Sequence, residues 1–319
     1  MDDDTIEKRL AALAGGRATV RIEDGRASVI LDVTGLDVSE RDALAEEVRA
    51  AALAEPGVTE VRVAMTSERV GRRLIAVASG KGGVGKSTVA ANLAVALAKG
   101  GRKVGLVDAD IYGPSQPTLM GVEGSKPEAR EKTMIPVATS FGVPILSMGQ
   151  LVAPGQAIAW RGPMAASALG QLVEGAWGPA DTLVVDMPPG TGDVQLTMIQ
   201  KYKPAGAVIV STPQDLALID ARRAIDLFVK AGVPVIGIVE NMAGYACPHC
   251  GEVSDPFGQG GAEAAAKELG VPFLGRVPLA MAIRAASDAG TPPAAGNAPE
   301  AAAFTDIAGK VEAWLKEPR

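Results

Sequence analysis

A glycine-rich segment near residue 80 has the spacing of a phosphate-binding loop. Residues 80–87 read Gly-Lys-Gly-Gly-Val-Gly-Lys-Ser and fit the pattern G-x-x-x-x-G-K-[ST]. Glycines let backbone N–H groups surround an anion, and the N-terminus of a following helix adds partial positive charge. We expect Lys86 to reach the β and γ phosphates of a nucleotide and the Ser87 hydroxyl to ligate Mg²⁺. The predicted nucleotide contacts are Gly80, Lys81, Gly82, Gly83, Val84, Gly85, Lys86, Ser87 and Thr88.

Lys81 is a second lysine inside this loop, and the general pattern does not require it. One interpretation is a solvated surface charge. The other is that Lys81 contacts phosphate across a subunit boundary, as an arginine finger does in trans. Under the second interpretation nucleotide hydrolysis requires a dimer, and Lys81 is a catalytic residue together with Lys86.

Two later segments place carboxylates directly after predicted strands. Asp108 and Asp110 follow one strand, and Asp186 follows another, ahead of Pro188-Pro189-Gly190. Nucleotide hydrolases with this loop hold Mg²⁺ near an Asp at the end of a neighbouring strand, so we predict that role for Asp186. We expect Gly190 to offer its N–H to the γ-phosphate. Asp110 is predicted to position the attacking water, and Asp108 to have an indirect, structural role.

The segment Cys247-Pro248-His249-Cys250 contains both cysteines and the only histidine of the chain. A dithiol redox pair is disfavoured, because no helical pattern starts at these cysteines to lower a thiol pKa. A structural zinc site closes with four ligands and would need a further donor. An iron–sulfur cluster takes four thiolates, so two chains would share one cluster across a symmetric dimer interface. That dimer is the one that a trans role for Lys81 also requires.

The elements that must position these residues form an alternating pattern from residue 74 onward. Apolar runs without polar alternation are typical of parallel strands buried on both faces, and the helical patterns between them cover the sheet. The predicted strands are 74–78, 103–107, 143–147, 182–186, 207–211, 233–239 and 273–275, and the predicted helices include 86–99, 164–176, 216–231 and 262–269. This pattern predicts an α/β P-loop NTPase fold with a mostly parallel, doubly wound sheet, whose ligands bind at the carboxyl ends of the strands. We expect residues 290–300 to form a mobile loop before a last helix that ends near Lys316.

The first sixty-odd residues have a different pattern, in the order α-β-β-α-β, with Asp24-Gly25 as a hairpin turn. They predict a small α+β domain over residues 1–66 and a polar linker over 67–73, ahead of the nucleotide-binding domain over 74–319.

Composition narrows the classes of partner. The 319 residues are 47% hydrophobic and 21% charged, and 31 Lys and Arg against 37 Asp and Glu give a formal net charge of −6. This acidity argues against nucleic acid as a partner. No apolar run reaches the roughly 18 residues of a membrane span, and the acidic start is unlike a signal peptide. Two cysteines indicate a reducing cytoplasm and no disulfide scaffold.

Several segments together resemble the Mrp/ApbC-type iron–sulfur cluster carriers, a branch of the deviant P-loop ATPases that includes nitrogenase iron protein and septum-site and partition ATPases. They are residues 81–88, 108–115, 186–193, 240–242 and the pair Cys247 and Cys250. The resemblance implies an ATP-dependent homodimer that binds a [4Fe–4S] cluster and passes it to apoproteins. It implies that Lys81 acts in trans, that Asn241 reads adenine, and that the loop of Arg276, Val277 and Pro278 lies near the base.

The N-terminal region resembles, more weakly, a small domain that precedes this ATPase and also occurs alone in cluster-assembly factors. It contains no cysteine, and we interpret it as a docking module for client or scaffold proteins, or as a stabilising appendage. Two other functions remain open. One is a positioning ATPase that cycles on a membrane or nucleoid, and the other is a scaffold that uses nucleotide only for folding or dimerisation.

Overall fold

The computed structural model describes residues 3–34, 36, 38–66, 71–130, 133–151, 162–190, 192–247 and 249–317. The chain divides into two units, Met1–Gly71 with Ala176–Ala180, and Arg72–Gly175 with Asp181–Arg319. The predicted domain limits at residues 66 and 74 stay a prediction, because residues 67–70 of the predicted linker lie outside the described residues.

The N-terminal unit is a three-stranded sheet with two helices. Its elements are α1 (Asp3–Leu13), β1 (Ala18–Glu23), β2 (Arg26–Asp32), α2 (Val38–Leu53) and β3 (Glu60–Thr66). Strand β2 lies in the centre, antiparallel to β1 and parallel to β3. Asp24 and Gly25 both have positive φ, as a two-residue hairpin turn requires. Burial alternates along β2, so one face of the sheet forms a core with Leu10 and Val48.

The larger unit has a seven-stranded sheet in the order β14-β11-β10-β4-β9-β5-β8, in which every neighbouring pair is parallel. This arrangement confirms the predicted parallel fold. Its helices are α3 (Lys86–Lys99), α4 (Gln116–Leu119), α5 (Gly162–Val173), α6 (Asp193–Thr197), α7 (Asp215–Lys230), α8 (Gly261–Leu269), α9 (Met281–Asp288) and α10 (Pro299–Lys316). Its strands are β4 (Arg73–Ala78), β5 (Val104–Asp108), β6 (Glu128–Arg130), β7 (Thr133–Ile135), β8 (Ile145–Ser147), β9 (Thr182–Asp186), β10 (Gly206–Ser211), β11 (Val235–Asn241), β12 (Tyr245–Ala246), β13 (Val253–Ser254) and β14 (Phe273–Val277).

The register of the sheet brings the acidic residues together at one edge. Asp108 at the end of β5 lies opposite Asp186 at the end of β9, and also opposite Ser147 on β8. Asp186 in turn lies opposite Val77, one residue before the end of β4, from which the phosphate loop departs. Residues that are far apart in the sequence therefore meet where a parallel sheet binds its ligands.

Strand β11 is longer than predicted at its carboxyl end. The prediction ended it at Val239, but the strand continues through Asn241. Glu240 is buried, and the guanidinium of Arg276 on the neighbouring β14 compensates its charge. A partner on another strand thus permits a charge inside the sheet.

Residues 290–300, predicted as a mobile loop, include a 3₁₀ turn and the first residues of α10, which begins at Pro299. Pro293–Ala295 form a 3₁₀ turn, and the buried Ala294 donates its N–H to Asn92 Oδ1 at 2.8 Å. Lys99 Nζ donates to the Gly296 carbonyl at 2.6 Å. Helix α3 therefore supplies the contacts that hold this Pro- and Gly-rich segment.

Helix α10 packs its apolar face on the core of the larger unit. Phe304, Ile307, Val311 and Leu315 are each at most 1% exposed. A positioning ATPase that bound a membrane through this helix would need the same face free. No helix in the described ranges of the chain is both long and apolar enough to cross a membrane.

Candidate nucleotide site and cysteine hairpin

The phosphate loop connects β4 to the N-terminus of α3 and lines a cleft of about 350 Å³. Residues 81–88 line this cleft together with Asp110, Gly113, Ser115 and Pro189. Gly80 has no room for a side chain, because a Cβ there would overlap the backbone carbonyl of Asp220 on α7. Gly85 has φ +78° and meets the side chain of Asn241 in the same way. Both glycines are therefore required by close packing as well as by the loop's shape.

Lys86 lies among the carboxylates that the sequence singled out. Its Nζ contacts Asp186 Oδ1 directly and lies 3.7 Å from Asp110 Oδ2 and 3.4 Å from Ser87 Oγ. Lys86 is 6% exposed and Asp186 is fully buried, so this ion pair is shielded from water. The structure therefore brings together four of the predicted site residues, Lys86, Ser87, Asp110 and Asp186.

Gln116 belongs to this site, although it is not among the residues that the sequence predicts for it. Its fully buried side chain donates from Nε2 to Asp186 Oδ2 at 2.8 Å and to the Ser87 carbonyl at 2.9 Å. Because both partners are acceptors, the amide orientation is determined, and Oε1 is left without a hydrogen-bond partner among the described residues. The only sequence signal was a polar residue at the start of a short helix after the acidic segment.

Asp108 has the indirect position that the sequence predicted. Its Oδ1 accepts the Asp110 N–H at 3.2 Å, and its Oδ2 accepts the Ser147 hydroxyl at 2.8 Å and the Gln116 N–H at 3.2 Å. Burial, followed by the negative charge of Asp186, raises the pKa of Asp108 to about 7. The carboxyl group thus holds together the segment between β5 and α4.

The raised pKa of Asp108 predicts a pH-dependent stability in the nucleotide-free protein. Between about pH 4 and pH 7 the folded chain keeps this proton while the unfolded chain has lost it, so stability falls as the pH rises. We expect the free energy of unfolding of the wild type to fall by about 2 kcal/mol more than that of Asp108→Asn between pH 5 and pH 8, because asparagine cannot ionise. Chemical denaturation at a series of pH values measures this difference. Parallel pH profiles for the two proteins would contradict this prediction.

Asp110 and Gly190 form local bonds within their own loops. Asp110 Oδ1 accepts the N–H groups of Tyr112 at 3.0 Å and Gly113 at 3.2 Å, which leaves Oδ2 on the side of Lys86. Gly190 has φ +85° and donates its N–H to the Ser79 carbonyl at 3.1 Å. To donate to a γ-phosphate, as the sequence predicts, Gly190 must exchange this bond for the new one.

Lys81 lines the same cleft but contacts a different residue from those around Lys86. Its Nζ lies 3.5 Å from Gln214 Oε1, directly before α7, and no carboxylate of the described residues is within ion-pair distance. The Ser79 hydroxyl donates to the Lys81 carbonyl at 2.9 Å and holds the backbone of the loop. Within one chain, Lys81 therefore does not make the carboxylate contacts that Lys86 makes.

Asn241 and Pro278 lie behind the loop rather than in the lining of the cleft. Asn241 is 6% exposed and donates from Nδ2 to the Val84 carbonyl at 2.8 Å. It lies opposite Val277 in the sheet, and Pro278 follows Val277 directly. The structure thus places the two predicted base contacts on neighbouring strand ends and ties one of them to the phosphate loop.

The two cysteines lie at the tip of a hairpin that follows β11. Strands β12 and β13 pair antiparallel, Cys247 donates its N–H to the Glu252 carbonyl at 2.9 Å, and Gly251 donates to the Cys247 carbonyl at 2.8 Å. Cys250 is exposed and Cys247 is half-buried, and both are free thiols. Hydrogen bonds from the backbone of His249 and of Cys250 to the sulfur lower the pKa of Cys247, which favours the thiolate that binds metals. Pro248 lies outside the described residues.

The hairpin bears on the alternatives for this cysteine pair. Helix α8 begins only at Gly261, so the pair lacks the helix start that is typical of dithiol redox sites. The described part of the chain contains no group of three or more His, Cys, Asp or Glu side chains placed to hold a metal ion. Among the described residues, the two thiols therefore have no neighbouring donors of these types that would complete a metal site.

The parallel sheet, the loop between β4 and α3, and the carboxylates around Lys86 define a P-loop NTPase. The family described as NUBPL iron-transfer P-loop NTPase, of the ParA group, matches residues 71–312, and this chain belongs to that family. An iron–sulfur cluster carrier protein of Pseudomonas fragi is 51% identical over 241 residues, or 74% of this chain and 84% of the relative. One of Synechocystis is 43% identical over 335 residues, which covers 98% of this chain and 95% of the relative.

Solved structures show the same fold. A nucleotide-binding protein of Archaeoglobus fulgidus, in complex with ADP, is 43% identical with a TM-score of 0.61, over 68% of this chain and 86% of that one. The cell division ATPase MinD of Pyrococcus furiosus is 26% identical with a TM-score of 0.58, over 76% and 99%. The resemblance inferred from the motifs is confirmed by these relatives.

Proposed function

We propose that this protein binds a [4Fe–4S] cluster between two copies of the chain and transfers it to apoproteins, with ATP bound and hydrolysed at the phosphate loop. The observation that carries the proposal is the display of two free thiols on a hairpin that leaves the sheet beside that loop. The names of the relatives as iron–sulfur cluster carriers support the same cargo.

The number of thiolate ligands that a cluster needs supports a homodimer. A [4Fe–4S] cluster takes four thiolates, and each chain offers Cys247 and Cys250. A two-fold axis between two hairpins would supply the remaining pair. The same four thiolates would also close a tetrahedral zinc site, so analysis of bound iron, sulfide and zinc distinguishes the two.

The nucleotide site fits a magnesium–ATP complex. Ser87 and Asp186 would hold Mg²⁺ through hard oxygen donors, and the unpartnered Oε1 of Gln116 is a further acceptor beside them. The metal would neutralise charge on the phosphates. Lys86 would exchange its contact with Asp186 for contacts with the β and γ phosphates. The Gly190 N–H would likewise exchange its hydrogen bond to the Ser79 carbonyl for one to the γ-phosphate.

Four other residues complete the proposed site. Asp110 keeps Oδ2 free of backbone bonds, so it would position the attacking water. Lys81 would act on the nucleotide of the partner copy, in line with its orientation toward Gln214. Asn241 and Pro278 would lie against the adenine. The side-chain amide of Asn241 donates from Nδ2 to the Val84 carbonyl, so its Oδ1 would face the base.

The partners follow from the cargo. They would be apo iron–sulfur client proteins and a cluster-assembly scaffold, for which the N-terminal domain over residues 1–66 would be the docking module. A reducing cytoplasm suits free thiolates and an exposed cluster. The acidic net charge gives no support to a nucleic-acid partner. We also propose that the protein has no stable membrane association, because the apolar face of α10 is buried in the core.

Anaerobic reconstitution tests the proposal. We expect about four iron and four sulfide per two chains, a dimer mass in solution, and transfer of the cluster to an apo [4Fe–4S] protein. A single-chain species without iron, or one that holds zinc alone under oxygen-free handling, would refute it.

A further inference from the structure

Glu240 is a buried carboxylate that neither the proposed nucleotide contacts nor the cysteine pair uses. It is the second-last residue of β11 and is fully buried. A carboxylate in such a place is costly unless charged or polar partners compensate it. Its two partners come from α8 and β14, the next helix and strand after the cysteine hairpin.

The first partner closes the returning end of the hairpin. Glu240 Oε2 accepts the N–H of Ala262 at 2.8 Å. Ala262 is the second residue of α8, so this N–H has no acceptor within the helix, and the helix end favours a negative charge. The chain leaves the sheet after Asn241, passes through Cys247 and Cys250, and returns to the same carboxylate at Ala262.

The second partner holds the departing end. Arg276 on β14 donates from Nε to Glu240 Oε1 at 2.9 Å and also contacts Glu263 of α8. Directly beyond this pair, Ala243 donates its N–H to the Val277 carbonyl at 3.0 Å. Leu279 donates to the Gly244 carbonyl at 2.9 Å. The segment that leads to the cysteines therefore stays bound to the extension of β14.

The same strand end also holds the phosphate loop. Asn241, the neighbour of Glu240, donates to the Val84 carbonyl, and its amide occupies the space beside Gly85 where a Cβ would lie. Met242 follows with φ 59°, a left-handed conformation that is strained for a side chain of this kind. A movement of the loop on binding nucleotide would thus act on the base of the hairpin through one residue.

We propose that Glu240, with Arg276, is the positioning residue of the cysteine hairpin and links the thiols to the nucleotide loop. This inference rests on the proposed cluster-carrier function. Four thiolates from two chains must meet one cluster in a fixed geometry, and each hairpin is a long excursion whose two ends share this one carboxylate. The outer contacts that orient metal ligands are worth about ten- to a hundredfold in metal affinity.

Three substitutions test the role of this pair in the full-length reconstituted dimer. Glu240→Gln removes the charge and places an N–H₂ group against either the Ala262 N–H or Arg276 Nε, so one of these two donors loses its acceptor. Arg276→Gln removes the Nε donor from a residue that is more exposed, and Arg276→Lys keeps the charge without that donor. The matched control is Arg222→Gln, because Arg222 pairs with Glu268 near the opposite end of the same helix α8.

The readout is the rate at which an iron chelator removes the cluster, measured with ATP and with ADP. We expect all three variants to lose the cluster about tenfold to a hundredfold faster than the wild type. The release rates measured with ATP and with ADP should differ less in these variants than in the wild type. Arg222→Gln should match the wild type. Thermal melting identifies any variant that fails to fold. If Glu240→Gln or Arg276→Gln fails to fold, the rate of cluster release from Arg276→Lys tests the proposal.

Each outcome has a separate meaning. A wild-type protein that binds no cluster refutes the proposed function. A wild type that binds it, together with Glu240 and Arg276 variants that release it within twofold of the control, overturns the positioning role. Equal release rates with ATP and ADP in the wild type overturn the link to the phosphate loop.

Discussion

Replacing either Cys247 or Cys250 by alanine is expected to remove the whole cluster after anaerobic reconstitution. Each chain supplies two thiolates, so one substitution deprives a symmetric dimer of two of its four ligands. Iron per dimer should fall from about four to near zero, with loss of the brown colour, while ATP still binds at the phosphate loop. Iron and sulfide analysis with nucleotide titration measures both effects.

His249→Ala is the matched control for the cysteine variants. The imidazole is exposed on the same hairpin between the two thiols, and a cluster held by four thiolates does not need it. The variant should keep full iron content. Loss of metal from His249→Ala equal to that from Cys250→Ala, or a complete cluster in either cysteine variant, would contradict shared thiolate ligation.

The second large effect concerns Lys81. We expect Lys81→Ala to lower the rate of ATP hydrolysis by about a thousandfold, the lower range for a cationic group that acts in trans, with only a small loss of ATP affinity. The physical reason is that Lys81 contacts Gln214 within its own chain and does not pair with Asp110 or Asp186, which contact Lys86. Lys86→Ala should lose both binding and hydrolysis. Steady-state kinetics and ATP binding separate the two variants.

Mixing the two inactive proteins distinguishes action in trans from action in cis. In a dimer of one Lys81→Ala chain and one Lys86→Ala chain, the first chain keeps its own Lys86 and receives an intact Lys81 from its partner. One working site per mixed dimer should therefore return. If Lys81 acts within its own chain, neither site has both lysines and the mixture stays inactive. Equal losses of binding and hydrolysis in Lys81→Ala would also argue against the trans role.

Local motifs explain why much of the fold was predictable. The glycine spacing of residues 80–87, between a buried apolar run and a helical run, indicated the loop, the strand before it and the helix after it. Helix α3 begins and ends where the pattern predicted, at Lys86 and Lys99. Interactions within a few residues decide such features, and one sequence records them.

Errors occurred where a distant contact outweighs local composition. Residues 290–300 have the composition of a loose loop, but Asn92 and Lys99 hold them in place. Gln116 was overlooked because its role depends on Asp186, which lies on another strand. The end of β11 was misplaced because the partner of Glu240 is on β14.

The sequence by itself determined the class of chemistry, since a phosphate loop, a carboxylate after a strand and a cysteine pair are local patterns of residue type and spacing. The tertiary structure decided which groups act together. The sheet register places Asp108 opposite Asp186, and burial together with that neighbouring charge raises the pKa of Asp108. It also sets Glu240 between Arg276 and Ala262, at the base of the cysteine hairpin. These contacts join segments far apart in the chain, and the burial of Asp108, Asp186 and Glu240 strengthens them because it limits screening by water.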